Sequence, residues 1–216
     1  MEHERGESDC EGRAAFHAGH GTLVGQEGDV RLAIGFSVHT GWAACVVAGG
    51  TLRTPRIVAR ERVDMLADPD RFVFHRAAEL DLASAERAIA DAERRAKVRA
   101  AEGLARLLEH GAVVCCAVVA KDPALPSLGE ILAAHPRIHS AEGRFYRDVL
   151  EAAIRERGVT VRVLSPLRLE EVAAEAMKLG VGEIAPLLDA AGWVAGRPWA
   201  KDQKVAALAA WTVLAG

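Results

Sequence analysis

A chain of 216 residues, half of them apolar and a quarter charged, is long enough for one sizeable domain with a buried core. Its formal charge of −3 excludes a globally basic nucleic-acid binder, so any attraction to phosphate has to come from a local patch. Cys10, Cys45 and the adjacent Cys115 and Cys116 form neither a disulfide framework nor a zinc spacing, no apolar run approaches the roughly 20 residues of a membrane span, and the charged opening Met1 to Arg5 leads us to expect a cytoplasmic protein without a leader.

Residues 1–29 carry Gly, His, Glu and Asp without helical or strand periodicity, which predicts a disordered arm whose His3, His17 and His20 have no frame to hold a metal. From residue 31 the pattern is regular, and 31–216 is expected to be a single domain. An apolar strand over Leu32 to Phe36 leads into the polar turn Ser37-Val38-His39-Thr40-Gly41, and Trp42 to Val47 returns before the Gly49-Gly50 turn signal. Arg56 to Leu66 reads as a third strand ending at an Asp68-Pro69-Asp70 turn, and Phe72 to His75 as a short strand or a helix lead-in.

Ser84 is expected to cap a helix from Ala85 to His110 that buries Ile89, Ala92, Ala96, Leu104, Leu107 and Leu108, with Gly111 ending it. Ala112 to Ala120 is apolar throughout, the pattern of a central strand covered on both faces. Ser127 and Glu130 have capping-box spacing for a short helix to about Ala134, which Pro136 should break. A helix from near Ser140 then buries Phe145, Val149, Ala153 and Ile154 and turns Arg144, Arg147, Glu151 and Arg155 outward. Val159 to Leu164 is the next strand, Ser165-Pro166 caps a helix ending at Leu179-Gly180, and a Gly- and Pro-rich loop holding Trp193 and Trp199 leads to a final apolar helix, Asp202 to Leu214.

The opening hairpin, with Thr40-Gly41-Trp42 at its return, resembles the first hairpin of the ribonuclease H-like superfamily, in particular the Holliday-junction resolvase branch, where the strand leads into Gly-x-Asp-Pro-Gly and then Thr-Gly-Trp. The resemblance implies an α/β fold over 31–216. Its sheet is mixed, antiparallel in the N-terminal hairpin portion and parallel afterwards, with helices on both faces and the first strand beside Ala112 to Ala120. The same strand order serves the sugar-kinase and actin-like superfamily, whose first hairpin carries a phosphate-binding Asp-x-Gly-x-Thr turn. The lack of a second, similar half favours the smaller, nuclease-like version.

The resolvase branch holds two metal ions with an Asp on the first strand, a Glu at the end of the central strand and an Asp-x-x-Asp pair opening the last helix, because phosphodiester cleavage needs clustered carboxylates to fix the cations. Here Ser37 stands at the first position, the central strand ends Val118-Val119-Ala120-Lys121, and the last helix opens Lys201-Asp202-Gln203-Lys204. If the two lysines match the acidic pair, ammonium groups replace carboxylates, and such a site repels a divalent cation and attracts an anion. The expected ligand-binding residues are Ser37, His39, Thr40, Lys121, Asp122, Lys201 and Lys204, and all of these but Asp122 are expected to border one pocket with Asp202 at the end of the sheet. The expected partner is a phosphate-bearing small molecule or nucleic acid, with no resident metal or cofactor and no membrane.

The alternative is an active nuclease, or a phosphotransfer or hydrolytic enzyme, that uses Asp122, Glu142 and Asp202 with a divalent metal and a histidine acid or base. The catalytic candidates are then His39, His139, Glu142 and Asp202. His135, His139, Glu142 and Tyr146 also fall at spacings of four, three and four, which on one uninterrupted helix would align two imidazoles with a carboxylate. Pro136 is expected to push His135 off that axis. His75 and His110 read as a loop residue and a helix C-terminal residue. Arg137, Arg144, Arg147, Arg155 and Arg157, diluted by Glu142, Asp148, Glu151 and Glu156, predict a mixed helix surface. Trp42 and Trp211 read as core, and Trp193 and Trp199 as ligand contacts.

Overall fold

Strand formation follows the apolar runs, and period-2 alternation sorts them onto two faces. The structure, a computed structural model, describes residues 31–51 and 54–216, so the expected arm lies outside the described residues. Strands β1 (Leu32–His39), β2 (Trp42–Gly50), β3 (Pro55–Asp64), β4 (Val113–Val119) and β5 (Thr160–Leu164) form one sheet in the order β3-β2-β1-β4-β5. The β1/β2 and β2/β3 pairs are antiparallel, and the β1/β4 and β4/β5 pairs are parallel. The mixed sheet and the placement of β1 beside β4 are therefore as the sequence indicates.

Even-numbered β1 residues, Leu32, Ile34 and Phe36, join Cys116 and Val118 of β4 in a core beneath α2 (Leu82–Leu108) and α4 (His135–Glu156). Odd-numbered residues face the other way. Ala33 joins Cys115, Ala117 and Val119 in a second core beneath α5 (Leu169–Met177), α6 (Val181–Ala195) and α7 (Lys201–Ala215). Ser37 and His39 therefore lie on the α7 side by parity alone. Gly35 lies on the same side, and a Cβ there would fall within the van der Waals shell of the Ala206 carbonyl oxygen and 2.8 Å from the Ala210 nitrogen. Its missing side chain lets α7 lie directly on β1. Burial pushes the Cys45 thiol up and the Cys116 thiol up to about 12, so both are inert apolar filling in the sheet.

Several boundaries differ from expectation, each for a local reason. β1 continues through Ser37 to His39, and the hairpin tip is only Thr40-Gly41, with Gly41 at φ 88°. Phe72 to His75 begins the short helix α1 (Val73–Ala77). The cap of α2 is Asp81, whose carboxylate accepts from the Ser84 N–H at 3.0 Å, so the helix starts at Leu82 rather than Ala85. The capping box of Ser127 and Glu130 opens α3 (Leu128–Leu132) as expected.

The helix α3 ends before Pro136, as expected, but Pro136 does not delay the next helix. It sits in the first turn of α4, where its missing N–H has no helical partner to lose, and the helix begins at His135 instead of near Ser140. Arg147 and Glu151 are not outward: they are 5 % and 6 % exposed. The segment after β4 lies across that flank of α4, where Asp122 accepts from Arg147 at 2.5 Å and the Pro123 carbonyl from Arg144 at 3.0 Å. Residues 181–195 form helix α6, not a loop, because Ile184, Leu188 and Ala191 supply one buried face despite Pro186 and the glycines.

Candidate functional site

The site expected from the sequence is at the carboxyl ends of β1 and β4, where α7 begins. Ser37 pairs with Val119 across the parallel β1/β4 ladder, so a hydroxyl and a valine stand side by side on the α7 face. Ser37 is 8 % exposed. Two residues on, His39 Nε2 lies inside the fold, 3.1 Å from Asp202 Oδ1 in the first turn of α7. The His39 imidazole stacks on Trp42, its ladder partner, with centroids 4.3 Å apart and planes 13° from parallel. The Arg62 guanidinium covers Trp42, 4.1 Å from its ring centre, and donates to Asp64 Oδ1 at 2.6 Å. Trp42 is thus a half-buried platform at the hairpin tip rather than a core residue, whereas Trp211 is core at 2 % exposure.

Lys201 and Lys204 open α7 and line a cleft of about 670 Å³ between α5, α6 and α7, together with Asp189, Glu170, Glu171 and Trp199. Lys204 Nζ is 2.7 Å from Asp189 Oδ1, so its charge is shared with a carboxylate. Ser37, His39, Thr40, Lys121 and Asp122 do not line this cleft. The expected single pocket is therefore divided into a His39–Asp202 contact at the hairpin tip and a lysine-edged cleft beside it. Trp199 is a packing residue. Its indole N–H donates to the Leu188 carbonyl at 2.9 Å, and its ring presses on Gly192, where a Cβ would be 2.5 Å from the indole nitrogen. Trp193, 89 % exposed on α6, lines an adjoining open depression with Arg197, and Asp189, Trp199 and Lys204 border both it and the cleft. Arg60 fastens the connection into α7 by donating to the Gly196 and Pro198 carbonyls at 2.6 and 2.7 Å.

The three carboxylates of the enzyme alternative each stand beside a different partner. Asp122 accepts from Arg147, whose guanidinium holds that carboxyl below its ordinary range. Glu142, 1 % exposed on α4, accepts from His75 Nδ1 at 2.8 Å and from the His75 N–H at 3.4 Å. Asp202 meets His39. Catalytic candidates His39 and Asp202 thus stand together, while His139 and Glu142 belong to a different cluster on the α1/α4 side. Tyr146, also singled out, is buried and donates to the Arg71 carbonyl at 2.6 Å. His110 lies just past α2 and contacts Glu61 at 3.0 Å.

Two divalent ions of the resolvase kind do not fit these residues. At the sheet end Ser37 offers a hydroxyl, Val119 nothing, and the α7 opening two ammonium groups around one carboxylate. Among the described residues, the group of three or more metal-ligating side chains that converges is elsewhere, at His75, His135 and His139.

Comparison with solved structures settles the architecture. RuvC of T. thermophilus in complex with a Holliday-junction substrate is similar at 14 % identity, covering 84 % of this chain and 91 % of that one, with a TM-score of 0.51. The fold is the ribonuclease H-like one that this RuvC shares. Thermus thermophilus RuvC (15 % identity, 84 % and 92 % covered, TM-score 0.49) and the yeast mitochondrial Holliday-junction resolvase Ydc2 (11 %, 85 % and 78 %, 0.46) are also similar. No family model and no curated protein matches the sequence. Among the described residues no helix of this resolvase-like fold is long and apolar enough to cross a membrane.

Proposed function

We propose that the protein recognises nucleic-acid phosphates on the α7 edge of a resolvase-type scaffold and does not cut them by two-metal catalysis. The reading is supported by the ends of β1 and β4, where Ser37 and Val119 carry no carboxylate, and by the first turn of α7, where Lys201 and Lys204 flank an Asp202 that lies 3.1 Å from His39. Lys201 is the first residue of α7, so its ammonium adds to the unpaired N–H groups and positive dipole end of that helix. Lys121 follows the end of β4. The aromatic and cationic stack of His39, Trp42 and Arg62 offers a base or sugar a flat surface at the hairpin tip. In a chain of net charge −3 this local set has to supply the attraction.

Fluorescence anisotropy with labelled branched and duplex DNA tests this reading. Binding should weaken with salt, and Lys201→Glu should cost about 1–2 kcal/mol and flatten the salt slope by about one phosphate contact. Lys204→Ala should cost less, because Asp189 already shares that charge. Binding to inorganic polyphosphate but not DNA would assign the site to a small phosphate-bearing ligand. Binding indifferent to Lys201→Glu would contradict the reading.

A further inference from the structure

On the face opposite α7, two helices bring three imidazoles together. His135 is the first residue of α4 and His139 lies one turn later, so both project on one side of the helix start. His75, from α1, meets them there. The candidate ligand nitrogens of the three all lie within 4.8 Å of one another, and His75 Nε2 is 3.3 Å from His135 Nε2. The rings stand edge to face, with centroids 4.4, 4.8 and 5.1 Å apart.

The fourth member decides the chemistry. Glu142, almost without solvent access, faces His75 Nδ1 at 2.8 Å. A buried carboxylate needs a donor, so it fixes the proton of His75 on Nδ1 and leaves the Nε2 lone pair facing the other two imidazoles. One hydrogen bond from His135 would satisfy His75 and leave His139 unused. A single cation accepts all three lone pairs. Two nitrogens bound at the usual 2.0–2.1 Å to a tetrahedral ion are about 3.3–3.4 Å apart, the His75–His135 spacing found here.

We propose that His75, His135 and His139 form a binding site for a divalent transition-metal ion of the zinc class, with Glu142 orienting His75 from behind and solvent completing the coordination. His135 and His139 are exposed, which gives the ion a path in and leaves the remaining position open. An all-imidazole donor set suits zinc, cobalt or nickel and is a poor host for magnesium or calcium. The ion would also clip the five-residue α1 onto α4. The site is independent of the sheet-end reading, since it shares no residue with it.

The test is titration of the full, untagged chain with ZnCl2 by calorimetry, and with CoCl2 by visible absorption. One equivalent should bind with micromolar affinity or better, produce the absorption of low-coordinate cobalt, and raise the thermal midpoint by several degrees. Millimolar MgCl2 should not compete. His139→Ala, at an exposed position that leaves packing intact, should weaken binding at least about 100-fold, and Glu142→Gln about 10- to 100-fold. Replacing His3, His17 and His20 together should leave the equivalent in place. Uptake that survives His139→Ala, uptake that follows the three N-terminal histidines, or no saturable uptake would each overturn the proposal.

Discussion

Replacing Gly35 by alanine is expected to destabilise the protein by about 3 kcal/mol or more, at the upper end of what overpacking costs. The added Cβ would meet the Ala206 carbonyl and the backbone nitrogen of Ala210, and backbone atoms of a packed helix cannot rotate away as a side chain can. Helix α7 would have to lift from β1, carrying Lys201 and Asp202 away from His39. Urea unfolding gives the loss, and a reduced DNA affinity in the surviving folded fraction links it to the site. Gly143, exposed within α4 with nothing within 4 Å of its would-be Cβ, is the control. Gly143→Ala should be neutral or stabilising by about 0.5–1 kcal/mol, because alanine is the better helix former.

Arg147→Met is expected to cost about 2–3 kcal/mol. The buried guanidinium donates to Asp122 at 2.5 Å and to Asp148 at 2.6 and 2.9 Å, and lies 3.2 Å from Glu151 Oε1. Asp122 and Asp148 have solvent to fall back on, with side chains 66 % and 50 % exposed, whereas Glu151 does not. Its remaining partner is Arg155 at 2.5 Å, which keeps the loss below that of an orphaned buried charge. Arg144→Met, on the same helix but more exposed, should change stability by less than about 1 kcal/mol. Thermal or urea unfolding of both variants separates the two cases.

The sheet was legible because apolar runs and turn residues are local signals. Leu32 to Val47 shows its hairpin through Thr40-Gly41, and Ala112 to Ala120 shows double burial through its unbroken apolar run. Helix ends were less legible where two good caps compete. Asp81 and Ser84 both have short polar side chains, and only the folded chain shows that Asp81 accepts from the Ser84 N–H. Pro136 carries the same residue signal whether it ends one helix or opens the next, and α6 was hidden by Gly182, Pro186 and Gly192.

Strand parity is the part of the candidate site that a sequence can carry: alternation on β1 puts Ser37 and His39 on the α7 face, and His39 there lies 3.1 Å from Asp202 in the first turn of α7. His75 reads as a loop residue in the sequence because its partners, Glu142, His135 and His139, lie more than 50 positions away, and no local pattern encodes that meeting. The burial of Arg147 is invisible in the sequence for the same reason: the segment that covers it follows β4, on another part of the chain.

Nucleic-acid binding without cleavage has a direct readout: the full chain incubated with an end-labelled four-way DNA junction in Mg2+ or Mn2+ and resolved on native and denaturing gels. We predict a retarded complex on the native gel and strands of unchanged length on the denaturing gel. Divalent-dependent incision of the junction, abolished by Asp202→Asn, would make the protein a nuclease instead.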